Sequence, residues 1–175
     1  TVAGDLLIIF LAPEDQAITM TSGLWTQLPT CSPRTQGTPR LTIFYKVAAG
    51  GDSTTTSDSG NHQIGGLIAL QGGTVDAATP LDANCTGSGQ TATQTVSITG
   101  ADSTVNDVLV VAASASNEPD ANTSTEFSAP TNGSLTSVTE RIDITSSVNL
   151  GGGLVVISGI RASAGAWGTT QATAV

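Results

Sequence analysis

Seven apolar residues run without a break from Leu6 to Ala12 inside "AGDLLIIFLAPED", and Pro13 with two acids ends them. No other feature limits the fold as much. The run is shorter than the roughly 20 residues a membrane-spanning helix needs. It also lacks the positive flank and small-residue cleavage site of a signal peptide. An apolar run of this length bounded by turn formers is expected to be a strand covered on both faces, in a chain expected to be soluble.

Six further apolar-rich stretches follow: "LTIFYKVA" (41–48), "IGGLIAL" (64–70), "VSI" (96–98), "VLVVAA" (108–113), "LTSVTERIDI" (135–144) and "GLVVISGI" (153–160). Gly, Pro, Ser and Asn turn signals separate them, and few stretches show helical periodicity. "LTIFYKV" and "SVTERIDI" alternate, which predicts one solvated face; the others are nearly continuous and predict strands buried on both sides or between two sheets. Aromatics are only 3% of the chain, so the core must rest on Val, Ile, Leu and Ala, with glycine where backbones come close. The expected fold is all-β, an antiparallel β-sandwich of jelly-roll or Ig-like type, in a single domain spanning 1–175.

Two motifs recur in the same order. "GDLLIIFLAPED" (4–15) is echoed by "NDVLVVAASASNEPD" (106–120), and "GGLIALQG" (65–72) by "GGLVVISG" (152–159). This predicts two pseudo-repeated halves, about 1–100 and 101–175, that share one core. Leu7, Ile9, Ile68, Leu109 and Val155 are expected in it. Asp5 and Asp107 fall just before the repeated strand, where short acids organise turns.

Five basic and fourteen acidic residues give a net charge of −9. A protein that binds nucleic acid neutralises about 6–10 phosphates, which Arg34, Arg40, Lys46, Arg141 and Arg161 cannot supply together. An anionic membrane surface is disfavoured for the same reason. No cofactor-binding motif is present. The glycine run 151–153 lacks the Lys-Ser/Thr of a phosphate loop. Cys31 and Cys85 permit one disulfide without requiring it, and no zinc-ligand spacing occurs.

Candidate chemistry is sparse. His62 stands alone without a nucleophile elbow. Carboxylates at Glu14/Asp15, Glu118/Asp120/Glu126 and Glu140/Asp143 could in principle be paired for glycoside chemistry, yet most fall in loops. Glu118, Asp120 and Glu126 are weak calcium candidates, since "NEPDANTSTE" offers several oxygen ligands but fits no known calcium-loop pattern; an acidic loop that merely solvates the chain is the plainer reading. Trp25 is expected in the core and Trp167 partly exposed. Tyr45 and Lys46 end an alternating strand, so one of them is expected to face outward. Trp167 and Tyr45 are the candidate ligand or interface residues. The sequons at Asn84, Asn122 and Asn132 matter only on a eukaryotic secretory route.

The series "AGDLLIIFLA", "GLWTQL", "LTIFYKVAAGGD", "IGGLIALQG" and "TPLDA", followed by "NDVLVVA", resembles a GDLLV-type β-sandwich module of bacteriophage virion proteins and large bacterial surface proteins. The likeness runs in order along nearly the whole chain, on short motifs. "GLW" replaces the module's GW, and Asn106 replaces its glycine. The resemblance implies a structural or attachment role and transfers no catalytic residue. The expected function is therefore a non-enzymatic phage structural protein, in capsid decoration or the tail. Its partners would be identical subunits and a major capsid or tail protein, and its location the virion. Two alternatives are a carbohydrate- or receptor-binding module of a tail fibre or bacterial surface protein, and an extracellular filament subunit.

Overall fold

A computed structural model describes residues 1–13, 18–28, 41–53, 56–57, 63–71, 82, 95–100, 102–116, 127–146 and 152–174. The chain forms strands β1 (Leu6–Pro13), β2 (Thr19–Met20), β3 (Thr26–Gln27), β4 (Thr42–Val47), β5 (Thr56–Ser57), β6 (Gln63–Leu70) and β7 (Thr95–Thr99), then β8 (Asp102–Ser103), β9 (Val108–Ser116), β10 (Phe127–Thr131), β11 (Thr136–Ser146), β12 (Gly152–Arg161), β13 (Gly165–Ala166) and β14 (Thr169–Ala174). The described residues contain no helix, and thus none long and apolar enough to cross a membrane. Every strand pair among the described residues is antiparallel. The fold is all-β.

Three sheets carry the architecture, with strand orders β3-β4-β1-β6, β11-β12-β9 and β10-β14-β7. The first two face each other across the largest apolar cluster. Leu6, Ile8, Phe10, Ala12, Leu41 and Ile43 supply it from one side, and Ala115, Leu154 and Val156 from the other. Tyr45, Ile68 and Ile142 pack against it, half-buried. The third sheet covers the opposite face of β12, where Val155 and Ile157 meet Phe127 and Ala172. A smaller cluster of Ile9, Leu11, Ile18 and Phe44, with Met20 and Trp25, closes the outer face of the first sheet.

This layering explains the apolar runs. β1 is an inner strand with apolar clusters on both faces, so every residue of it is buried. β12 is the inner strand of the middle sheet, and clusters likewise cover both of its faces. Side chains alternate across a strand, so burial on both faces requires apolar residues at consecutive positions. Gly66 lets β6 approach the facing sheet: a Cβ there would lie 2.6 Å from Cδ1 of Ile142.

The echoed motifs are hydrogen-bonded neighbours in both cases: β1 pairs with β6, and β9 with β12. Their registers differ. Leu6 faces Leu70, whereas the corresponding Val108 faces Arg161, and Ile157, the counterpart of Leu70, faces Ala112. The offset from 108 to 112 is four residues. An even offset leaves each side chain on its own face. The inner position changes strand as well: the first motif of one pair (β1) and the second of the other (β12) are inner, and among the described residues β9 is an edge strand.

That exchange corrects one expectation. Leu109 is not a core residue; it is 37% exposed, while its counterpart Leu7 is buried. Leu109 pairs with Ile160, itself 40% exposed, and both lie beyond Val111, the last residue of that β9 face packed on the central cluster. Leu7, Ile9 and Val155 are buried. The boundary near residue 101 does not separate the sheets, because β7 pairs with β14.

β11 departs from simple alternation. Glu140 faces Ile157 and Ile142 faces Val156, so one extra residue is inserted, and a second irregularity lies between Thr136 and Thr139. The insertion moves the strand's even-numbered side chains from one face to the other. Val138 packs toward the third sheet, while Ile142 and Ile144 pack toward the first. β10 has a similar irregularity between Ser128 and Thr131. Ala129 and Ser137, inside these two irregularities, have φ of 51° and 53°, as expected where a bulge bends a strand.

Candidate functional site

Several residues of the quoted sequence motifs fasten turns and strand ends at separate places in the fold. At the start of β1, the Asp5 carboxylate accepts a hydrogen bond from Val2 N at 2.8 Å. Its own backbone carbonyl accepts one from Ala48 N at 2.7 Å, tying the beginning of β1 to the end of β4. Asp107, at the corresponding point before β9, has φ of 56°. Beside it, Asn106 accepts a hydrogen bond from Ala164 N at 2.9 Å.

Lys46 is the centre of the best-defined cluster. Alternation along β4 turns Tyr45 toward the central core and Lys46 to the other face. There the ammonium lies 5.3 Å from the centroid of the Trp25 ring and forms an ion pair with Asp52. Both charged side chains are largely enclosed. Asp52 also accepts hydrogen bonds from Ala49 N and Gly50 N, each at 3.1 Å, in the turn after β4. The Lys46 hydrogen bond, assisted by these two N–H groups, lowers the Asp52 pKa despite some desolvation. Gly23 stands against this group; a Cβ there would be 3.1 Å from Lys46 Nζ and 3.2 Å from Trp25 Nε1. Trp25, expected in the core, is instead half-buried and packs against the outer cluster of the first sheet, and the adjacent Leu24 is 92% exposed.

Asp82, from the "TPLDA" motif, accepts hydrogen bonds from Thr104 Oγ1 and, at 2.7 Å, from Thr104 N. These bonds, the hydroxyl's first, lower the Asp82 pKa. They fix the turn that precedes β9. Neither this contact nor the Lys46 cluster was legible in the sequence as a site. The available signals were the face opposite Tyr45, the Gly-Asp turn and the aspartate of "TPLDA".

The candidate ligand residues are not brought together. Tyr45 packs against the core of the first sheet. Trp167 precedes β14 and is half-buried against Gly100, where a Cβ would lie 2.6 Å from its Cε3. The Asn132 sequon is engaged internally: Asn132 Nδ2 donates to Thr170 Oγ1 at 2.9 Å, and Asn132 Oδ1 accepts from Ser134 N at 2.8 Å.

One carboxylate pair is brought to a common face. The inserted residue in β11 puts Glu140 opposite Ile157 and Asp143 opposite Val155, whose side chains share the face toward the third sheet. In a regular strand, residues three apart lie on opposite faces. Desolvation, and secondarily the charge of Asp143, raises the Glu140 pKa. Asp143 accepts a hydrogen bond from Phe127 N at 3.2 Å, joining β11 to the start of β10.

Glu118, Asp120 and Glu126 lie outside the described residues, as do Glu14, Asp15, Cys31, His62, Asn84, Cys85 and Asn122. Among the described residues, no group of three or more His, Cys, Asp or Glu side chains could hold a metal ion. Comparison of the chain with family models, curated proteins and solved structures finds no match.

Proposed function

We propose that this protein is a non-enzymatic structural component of a bacteriophage particle, a capsid decoration or tail-associated subunit. It contacts identical copies and a major capsid or tail protein. One observation carries the reading: the charged and aromatic residues of the family-like motifs are used to fasten the fold. Asp5 closes a turn, Asp82 ties its segment to Thr104 before β9, and Lys46 joins Trp25 to Asp52. Motifs used in this way preserve a shape, which is what a particle subunit must present to its neighbours.

The sheet edges add support. Natural sheets blunt edges that must not pair, by shortness, bulges, proline or charge. β3 is two residues long; β10 has an irregularity and Pro130; β11 has two irregularities with Glu140, Arg141 and Asp143. Among the described residues, β6 and β9 are edge strands of eight and nine residues, without charge, proline or register shift. Such edges suit pairing with another chain.

The test is whether the chain co-purifies with a phage particle at a fixed stoichiometry. The proposal expects a constant ratio through successive gradients. A chain absent from particles, but retained by a glycan or host-receptor column, would replace it with the binding-module reading.

A further inference from the structure

We draw no further inference here: the strongest candidate, the exposed apolar patch where Leu109 of β9 pairs with Ile160 of β12 at the end of the middle sheet, carries nothing because nothing in the structure shows what covers it.

Discussion

Lys46 holds its ammonium 5.3 Å from the centre of the Trp25 ring while ion-paired to Asp52. The cation thereby joins the turn before β3 to the turn after β4. Cation–π contacts are worth about 0.5–1 kcal/mol when exposed and about 2 when desolvated. Removing one member of an enclosed pair strands the other. Lys46→Met is therefore expected to destabilise the protein more than Lys46→Arg, which keeps a cation over the ring. Urea midpoints for the two variants check this, and equal midpoints would refute a role for the charge.

The core account separates two residues that the repeated motif makes equivalent. Ile9→Ala is expected to cost about 2–5 kcal/mol, as large-to-small changes in a packed core do. Leu109→Ala should cost less than about 1 kcal/mol, near the range of surface substitutions. Ile157→Ala should behave like Ile9→Ala, because β12 is the inner strand of the middle sheet. Chemical denaturation of the three variants decides the order. A Leu109→Ala loss equal to that of Ile9→Ala would restore β9 as a buried strand.

Ala129 and Ser137 adopt left-handed backbone conformations that cost a non-glycine residue roughly 1–2 kcal/mol. Ala129 is exposed, so its methyl contributes little packing. Ala129→Gly relieves the strain and gives back part of the gain as unfolded-chain entropy. The net expectation is a Tm increase of about 1–3 °C. Ala112→Gly, in the buried part of β9, should lower Tm instead.

The carboxylates predict opposite pH responses. The Asp82 pKa is lowered in the folded state, so its stabilisation is complete above the unfolded-state value and is lost as pH falls through the folded-state value. Asp82→Asn should lower Tm near about pH 7 and have little effect near about pH 2. The Glu140 pKa is raised, so its contribution is complete below the unfolded-state value and is lost as pH rises through the folded-state value. Glu140→Gln should raise Tm slightly near neutrality and leave it unchanged in acid. Thermal melts across pH check both signs.

The strands were largely legible because burial on both faces leaves an unmistakable pattern, as at Leu6 to Ala12. The identity of the inner strand in the middle sheet was not. β9 and β12 are both Val-rich, and strand order depends on contacts far apart in sequence. The bulge after Glu140 was also hidden: "SVTERIDI" alternates on paper, and a single inserted residue reverses its faces. That reversal brought Glu140 and Asp143 to a common side. The Lys46 cluster stayed out of view because its members sit in two separate motifs, Trp25 in "GLWTQL" and Lys46 with Asp52 in "LTIFYKVAAGGD", each of which reads as an ordinary turn or strand end.

The central claim is that the chain works by assembly. Its charge of −9 opposes contact between copies, and at physiological ionic strength that repulsion is screened within about 8 Å. Short Ser and Thr side chains lose little entropy when ordered at an interface. Sedimentation of the purified protein, alone and with empty capsids or tails, across a salt series tests the claim most directly. The account predicts association that strengthens as salt rises from very low values, opposite to the salt response of phosphate binding. A strict monomer at every salt and at high concentration, left in the supernatant by every particle, would contradict it.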